Sequence, residues 1–392
     1  MKPVYLNELG IVNALGCGKA AVYHNMLAGN APGMGPMTMP ITQKTFYVGQ
    51  VADALPAIPP ALATFGSRNN QLILAALQQI EPAIQTALAL YSAARIGVVM
   101  GSSTGGVAEA ELAFAALNNK GSFPPDFNYR QQEIGVSAEF IADYFQTTGP
   151  IYSISTACSS SAKVLASARG LLDQDLCDAV IVGGADSLCE LTLNGFKALD
   201  ALSDERCNPF SSNRKGINIG EGAAIFLMSR EPHGVLMAGV GESSDAFHMT
   251  APEPKGEGAL QAMRAALAEA QLDAESIDYI NLHGTGTRLN DGMECNAVYA
   301  LFGSRVLASS SKPLTGHTLG AAGATEAALC WLLLNNANVY EAVPHIYDGQ
   351  FDPAFSKLTL CETAVTHVPV KFAMSNSFAF GGNNVSIVVA RA

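Results

Sequence analysis

Length, composition and charge place the chain among compact globular proteins and exclude several classes. Its 392 residues are 49% hydrophobic and 14% charged, which is enough apolar content for one large core or two fused ones. A net charge of -12 argues against general nucleic-acid binding, which depends on basic side chains that neutralise phosphates.

The sequence predicts neither a membrane-spanning segment nor a leader. The most apolar stretch, 83–100, is broken by polar residues such as Arg95 before it reaches the ~18 apolar residues that a bilayer span requires. The start MKPVYLNELGIV turns polar at Asn7 and Glu8, too early for a signal peptide. The eight cysteines form no disulfide framework. We therefore expect a cytoplasmic protein without membrane contact.

Short apolar runs alternate with helical patterns along the chain, which predicts an α/β fold. The runs at 95–100, 151–154 and 179–182 each end close to a turn rich in Gly or Ser, as buried strands of a parallel sheet do. Apolar residues at helical spacing follow at 256–270 and 324–335.

Two segments resemble each other and suggest an internal duplication. RIGVVMGSSTGG (95–106) and IDYINLHGTGTR (277–288) both run from a strand into a turn of Gly, Thr and Ser. A polar loop at 241–258 separates them. We predict an N-terminal half, 1–240, that carries a nucleophile and a C-terminal half, 241–392, that carries the histidines discussed below.

One cysteine lies where a strand is predicted to run into a helix. In ISTACSSSAKVLASARG (154–170), a helix that begins just after Cys158 would place the sulfur at the helix N-terminus. Unpaired N–H groups and the helix dipole would lower the thiol pKa there and favour the nucleophilic thiolate. The alternative is an inert buried cysteine, which is the common fate of a free thiol.

Two of the seven histidines occupy similar turns. His283, in LHGTGTRLND, and His317, in KPLTGHTLGAAGATE, each lie beside glycine just after a predicted strand, which allows close approach by a ligand. With Cys158 they could serve nucleophilic catalysis, or supply three ligands of a zinc site with an open position. Because no CxxC or HExxH motif is present, we expect no metal.

Five motifs, taken in order, resemble those of the β-ketoacyl-[acyl-carrier-protein] synthases, condensing enzymes of the thiolase-like fold. The resemblance covers nearly the whole chain and rests on TACSSSA (156–162), NPFSSNRKGINIGEGA (208–223), HGTGTRLND (283–291), KPLTGHTLGAAGATE (312–326) and NSFAFGGNN (376–384). It implies duplicated βαβαβαββ halves in a five-layer αβαβα arrangement, usually as a dimer. Fold alone would not establish the function, so the site residues matter more.

The resemblance also implies catalytic roles. Cys158 would carry the acyl chain, and His283 and His317 would stabilise the enolate formed when a malonyl group loses carbon dioxide. Lys312 would polarise the site and pair with Glu326. One cysteine with two histidines is similar to elongating rather than starter condensing enzymes, and thiolases fit less well because their second cysteine is missing from SFAFGGNN.

Further residues are implied to form the oxyanion hole, a gate and the pantetheine tunnel. The backbone N–H groups of Cys158 and Phe380 would bind the oxyanion, and the Phe380 ring would gate the acyl pocket. The pantetheine and substrate contacts implied by the motifs are Thr285, Thr287, Phe378 and Gly381. The chain departs from the family pattern at Ala379, Asn383, Asn208 and Lys215, which bears on substrate range more than on reaction type.

The implied function is decarboxylative Claisen condensation of an acyl group on Cys158 with malonyl-acyl carrier protein, in fatty acid or polyketide elongation. No cofactor is expected apart from the phosphopantetheine of the carrier. A polyene or polyketide ketosynthase paired with a chain-length-factor subunit is an alternative to a homodimer, and a non-catalytic chain-length subunit or a cysteine hydrolase are others. Candidate carrier contacts, chosen by loop location, are Lys120, Arg130, Arg206 and Arg214.

Overall fold

The computed structural model describes residues 2–367 and 369–392, in which strands alternate with helices. The strands are β1 (Tyr5–Asn13), β2 (Gly16–Cys17), β3 (Met34–Thr38), β4 (Thr45–Gly49), β5 (Ile96–Gly101), β6 (Ile151–Ile154), β7 (Ala179–Asp186), β8 (Gly222–Ser229), β9 (Val235–Ser244), β10 (Tyr279–Asn281), β11 (Leu307–Ser309), β12 (Thr359–Leu360), β13 (Phe372–Phe378) and β14 (Asn383–Arg391). The helices are α1 (Lys19–Leu27), α2 (Arg68–Leu90), α3 (Val107–Lys120), α4 (Val136–Phe145), α5 (Ser160–Asp173), α6 (Glu190–Ala198), α7 (Glu257–Ala270), α8 (Arg288–Phe302), α9 (Lys312–Thr315) and α10 (Ala322–Leu334).

The order of strands repeats itself in the two halves of the main sheet. One half runs β1-β8-β7-β5-β6 and the other β9-β14-β13-β10-β11, with β12 added at the far edge. In each half two antiparallel pairings are followed by two parallel ones. The duplication inferred from the sequence is confirmed, since its two similar segments form the equivalent strands β5 and β10. The three apolar runs read from the sequence as strands of a parallel sheet, β5, β6 and β7, do pair in parallel, and β1, β8, β9 and β14 add the antiparallel pairings.

Helices on both faces of these strands complete five layers. α2 and α4 cover the outer face of the first half, α7 and α8 cover the outer face of the second, and α5 and α10 pack together between them. All thirteen residues of α10 are buried, which explains why its sequence is apolar on every side. Strands β5, β7 and β8 are likewise buried along their whole length, as strands covered on both faces must be. The thiolase-like five-layer fold is confirmed.

The two halves join through β1 and β9, which pair at Tyr5 with Leu236 and at Leu6 with Val235. The predicted division after residue 240 falls inside β9, and that division stays a prediction. No helix in the described part of the chain is both long and apolar enough to span a bilayer.

Candidate active site

Cys158 lies in the short turn between β6 and α5. β6 ends at Ile154 and α5 begins at Ser160, so the sulfur lies at the start of the helix, as the sequence predicts. Ala157, just before it, has a φ of 53°, a left-handed conformation that costs an L-residue about 1 to 2 kcal/mol. Ser103 donates a hydrogen bond to the Ala157 carbonyl at 3.1 Å. This supported turn places the Cys158 side chain in the wall of a cavity.

Both predicted histidines join Cys158 in one cluster. The Cys158 sulfur and a ring nitrogen of each of His283 and His317 lie within 4.8 Å of one another. The two rings are nearly perpendicular, with centroids 5.4 Å apart and planes at 86°. Because the cysteine and the histidines come from different halves of the chain, it is the fold that brings them together. Their spacing could also hold a metal ion, and the expectation of no metal stays a prediction.

Burial keeps both imidazoles uncharged at neutral pH. The pKa of each ring lies well below the usual 6.5, because burial disfavours the cation and the Lys312 charge repels it further. Within residues 2–367 and 369–392, neither ring nitrogen of His317 has a hydrogen-bond partner, nor does Nδ1 of His283. A neutral ring can donate from one nitrogen and accept on the other, so the site offers both functions to a substrate.

The Cys158 thiol is protonated at neutral pH, and the expectation of a thiolate is wrong for the free enzyme. Burial raises the pKa of this thiol to about 11, and the charges of Glu326 and Asp186 add to the rise. The Lys312 charge and the N–H of Phe380 act in the opposite direction. The loss of hydration therefore outweighs the favourable position at a helix N-terminus. A proton must leave the sulfur during acyl transfer.

A buried ion pair lies beside the cluster. Lys312 donates from Nζ to Oε1 of Glu326, and both side chains are shielded from solvent. Burial raises the pKa of the Glu326 carboxyl to about 7, although the Lys312 charge opposes this. The same cation affects the pKa of Cys158, His283 and His317, so it lies close to all three. The pairing is the one that the family resemblance implies.

Two buried acidic residues of α8 hold the loop that carries His283, and neither was assigned a role from the sequence. Glu294 accepts hydrogen bonds from the backbone N–H groups of His283 and Gly284, each at 2.7 Å. Asp291 accepts from the N–H of Gly286 at 3.1 Å. Burial raises the pKa of the Glu294 carboxyl to about 8. A signal was available, because both acids fall on one face of the helix that follows the motif.

Phe380 contacts the sulfur through its backbone N–H, and its ring stacks on an aromatic residue of α6. Its N–H donates to the Cys158 sulfur, and its ring lies 5.5 Å from the Phe196 ring at an angle of 24°. Phe378 is buried, with its ring 6.3 Å from that of His283. All of these side chains line the cavity. Phe196 was missed because the sequence around it carries no motif and the contact depends on the fold.

The glycine turn after Phe380 is bound to the polar loop between the halves. Gly381 donates from its N–H to the Met249 carbonyl, and the N–H of Asp245 donates to the Gly382 carbonyl, both at 2.8 Å. Both glycines have positive φ, 84° and 77°, which the tight turn requires. Gly381, a predicted substrate contact, lies outside the cavity wall and ties the turn to this loop instead.

The cavity has a volume of about 450 Å³ and reaches from the cluster to exposed residues at the surface. Thr285 and Thr287, the predicted pantetheine contacts, both line it, and their hydroxyl groups lie 2.9 Å apart. Two exposed basic residues at its mouth, Lys215 and Arg288, were not among the proposed carrier contacts.

Of the four basic residues proposed from loop location, Arg214 lines the cavity. Its guanidinium is held by Asp352 at 2.7 Å and lies over the Phe355 ring, so it is committed to internal contacts. Arg130 is paired with Glu139 instead. None of the other three proposed residues is part of the cavity wall described by the structure.

The positions that depart from the family pattern make local contacts. The N–H of Ala379 donates to the Asn383 carbonyl at 2.8 Å and closes the glycine turn. Asn208 accepts at Oδ1 from a neighbouring backbone N–H at 3.1 Å. Lys215 forms an exposed ion pair with Glu205. None of these contacts involves Cys158, His283 or His317.

The chain belongs to the β-ketoacyl synthase family. Residues 42–233 match the family model of the beta-ketoacyl synthase N-terminal domain, and residues 235–345 match that of the C-terminal domain. This membership and the relatives below make the chain an acyltransferase of the condensing type.

Two curated relatives and one solved structure illustrate the similarity. The 3-oxoacyl-[acyl-carrier-protein] synthase 2 of Rhizobium meliloti (strain 1021) is 30% identical, over 100% of this chain and 99% of that protein. Nodulation protein E of Rhizobium meliloti is 34% identical over 75% of each chain. A structure of the ketosynthase ApeO in complex with its chain length factor ApeC, from Xenorhabdus doucetiae, matches with 43% identity and a TM-score of 0.94, over 100% of this chain and 98% of that one.

Proposed function

We propose that this chain condenses an acyl group held on Cys158 with malonyl-acyl carrier protein and releases 3-oxoacyl-carrier protein. The observation that carries the proposal is the convergence of one sulfur and two neutral imidazoles, within 4.8 Å, on a cavity wall. A chain with all three groups has what a catalyst needs, whereas a non-catalytic chain-length subunit would have no use for a nucleophile. A cysteine hydrolase would need an acidic third member beside the histidine.

In the first half-reaction the Cys158 sulfur attacks the thioester carbonyl of a carrier-bound acyl chain. A carbon–sulfur bond to Cys158 forms, the bond to the pantetheine sulfur breaks, and the thiol proton passes to the released pantetheine thiol. The N–H groups of Cys158 and Phe380 stabilise the tetrahedral oxyanion, and each such donor contributes roughly 3 kcal/mol.

In the second half-reaction malonyl-carrier loses carbon dioxide and leaves an enolate. N–H groups of His283 and His317 stabilise its developing oxyanion, which neutral rings can do without a net charge in the pocket. The enolate carbon attacks the acyl-Cys158 carbonyl, the carbon–sulfur bond breaks, and the thiolate takes up one proton. The buried Lys312 cation, paired with Glu326, offsets the negative charge that builds up near the cluster.

We propose that the cavity beside Cys158 binds the phosphopantetheine arm. Thr285 and Thr287 line it with hydroxyl groups that suit the amides of the arm. Lys215 and Arg288 lie at its mouth, where basic side chains favour an acidic carrier. No further cofactor is required. We place the reaction in the cytoplasm, which is supported by the eight unpaired cysteines of the described chain.

A heterodimer with a chain-length-factor subunit is the assembly we propose, in polyene or other polyketide synthesis. Its support is the 43% identity to a chain from a ketosynthase and chain length factor complex. The N-terminal half of the sheet ends at β6, whose backbone groups form an open edge, and Ile151 on that strand is 37% exposed. An open edge of this kind is suited to pairing with another chain.

A reconstituted assay tests the proposal. The purified chain, alone and together with a co-expressed chain-length-factor subunit, is mixed with acyl-carrier and radiolabelled malonyl-carrier. We expect condensed 3-oxoacyl product, and no condensation with Cys158→Ala. Product formation that is unchanged in this variant would overturn the assignment. Equal activity and chain length with and without the second subunit would overturn only the heterodimer.

A further inference from the structure

A buried carboxylate behind the cluster receives hydrogen bonds from two separate parts of the chain. Asp186, the last residue of β7, is fully buried, and its Oδ1 accepts from the hydroxyl of Ser102 and the N–H groups of Ser103 and Thr104, at 2.8, 2.9 and 2.7 Å. The hydroxyl of Thr104 donates to the same oxygen at 2.7 Å. The other oxygen, Oδ2, accepts from the N–H of Ala321 at 2.9 Å and, more weakly, from that of Ser103.

The two sets of donors belong to the two sides of the active site. The loop after β5 also supplies Ser103, whose hydroxyl donates to the Ala157 carbonyl next to the nucleophile. Ala321 lies in the 3₁₀ turn that follows His317 and leads into α10. Asp186 therefore connects the turn that carries Cys158 with the segment that carries His317.

Two glycines at this junction have no room for a side chain. A Cβ on Gly320 would lie 2.6 Å from the Ser103 nitrogen and 2.7 Å from Oδ2 of Asp186. A Cβ on Gly184 would lie 2.5 Å from the Ser161 Cβ atom and 3.1 Å from the Ala321 Cα atom. Contacts this short force the neighbouring atoms to shift, so glycine at both positions lets the three segments meet closely.

The Asp186 carboxyl is stabilised by hydrogen bonds rather than by a counter-ion, and these bonds oppose the rise in its pKa that burial causes. Among the salt bridges of the described chain, none involves this residue. A buried carboxylate without a cation is costly unless its oxygens are fully hydrogen-bonded, and here five donor groups serve them. A protein keeps such a costly buried carboxyl where its hydrogen bonds fix a geometry that the protein needs. Here they fix the separation of the Cys158 and His317 segments.

We propose that Asp186 is a positioning residue for the condensation step, which sets the His317 segment relative to the acyl-Cys158 turn. The inference rests on the proposed function of these two residues. The His317 backbone has other anchors, since its N–H donates to the Asn218 carbonyl at 2.7 Å and its carbonyl accepts from Gly220 at 2.9 Å. Loss of the Asp186 contact therefore displaces the ring without releasing it.

The variant Asp186→Asn cuts this connection on one side. An asparagine keeps one acceptor oxygen, which the more numerous donors of residues 102–104 will retain. Its NH₂ group then faces the Ala321 N–H, and two donors cannot bond to each other. The Cys158 turn keeps its support, whereas the His317 segment loses its own.

The two half-reactions are measured separately with the whole protein and any partner subunit. We expect Asp186→Asn to be acylated by acyl-carrier within about twofold of wild type, and to decarboxylate malonyl-carrier on the order of tenfold more slowly, with the loss in kcat rather than KM. Hydrogen exchange at residues 317–321 should be faster than in wild type, while exchange in α5 is unchanged. A variant that loses both half-reactions equally, or neither, overturns the inference.

Two further variants separate positioning from general instability. Gly320→Ala pushes the His317 segment away from Asp186 without a change of charge, and it serves where Asp186→Asn does not accumulate. Because the new Cβ also meets the Ser103 nitrogen, we expect acylation to fall as well, but less than decarboxylation. Asp278→Asn is the control, because Asp278 also accepts two backbone N–H groups but lies outside the cavity wall. It should reduce stability and leave the ratio of the half-reactions unchanged. If wild type itself is not acylated, the proposed function fails, and this is distinct from a failure of the Asp186 inference.

Discussion

The ring of His317 lies edge-on to the ring of His283, with centroids 5.4 Å apart. Both rings are buried, and among the described residues no carboxylate is hydrogen-bonded to either of them. Catalytic histidines that act as bases are usually oriented and charged by a nearby acid. Here the charge that acts on both rings is the cation of Lys312, which lowers the pKa of each. The pair is therefore built to donate hydrogen bonds as neutral rings.

Substitution of either histidine should separate the two half-reactions. His283→Ala and His317→Ala each remove one donor for the enolate oxyanion, and a lost donor of this kind costs roughly 3 kcal/mol, or about a hundredfold in rate. We expect both variants still to be acylated at Cys158 and to decarboxylate malonyl-carrier poorly, as measured by release of labelled carbon dioxide. Variants that decarboxylate normally but fail at acylation would contradict the assigned roles.

The buried ion pair should show strong coupling in stability. Lys312→Met or Glu326→Gln alone leaves an unpaired buried group and should cost about 3 to 5 kcal/mol of unfolding free energy. The double variant removes both charges and should cost clearly less than the sum of the two. Urea unfolding of the four proteins measures this, and additive losses would show that the pair contributes no coupling.

Alkylation of Cys158 should depend on pH in a way that reflects its burial. Because the thiol pKa is raised to about 11, the rate of carboxamidomethylation should keep rising with pH well above the range of an ordinary cysteine. Intact-mass analysis measures the rate, with Cys158→Ala as the control for the exposed Cys17. A rate that levels off below about pH 8 would mean that the thiolate is already favoured in the free enzyme.

The stacked contact between Phe196 and Phe380 should hold the gate closed. An aromatic pair contributes about 0.5 to 1.5 kcal/mol beyond its buried area, so Phe196→Ala should speed acylation of Cys158 by a bulky acyl-carrier several-fold. Phe196→Leu keeps the volume without the stacking and serves as the matched control. Stopped-flow or quench measurements of the acylation rate test this prediction. An unchanged or slower rate in Phe196→Ala would contradict a gating contact.

Acid should destabilise the protein through the two active-site imidazoles. Their pKa in the folded state lies well below 6.5, so the unfolded chain binds more protons as the pH falls through 6.5, and stability is lost in that direction. Between about pH 7.5 and 5.5 the pair should account for about 2 to 3 kcal/mol. The double variant His283→Asn/His317→Asn should lose less stability than wild type over this interval. Equal losses would show that the rings are not held neutral.

Local patterns in the sequence were sufficient for the parts of the fold and site that local structure determines. Apolar runs ending in small-residue turns predicted β5, β6 and β7, and the glycine-flanked histidines and the cysteine before α5 were found from their turns and motifs. The thiol pKa was predicted in the wrong direction, because burial by distant segments is absent from the local sequence.

The residues that support the active site could be identified only from the fold. Phe196, Glu294 and Asp186 contact the site only after helices and strands from separate regions have packed together. Glu294 and Asp186 are acidic residues in buried elements, where charge is costly, and a search for acids within apolar or helical core patterns would have identified both as candidates.

The central claim is that Cys158 carries the acyl chain and transfers it to a carbon nucleophile derived from the malonyl group. Intact-mass analysis of the protein after exposure to acyl-carrier, and again after addition of malonyl-carrier, tests it most directly. We predict a mass increase equal to the acyl group, mapped to Cys158 and absent from Cys158→Ala, which disappears on addition of malonyl-carrier as 3-oxoacyl-carrier forms. No acyl adduct at Cys158, or an adduct that malonyl-carrier does not remove, would contradict it.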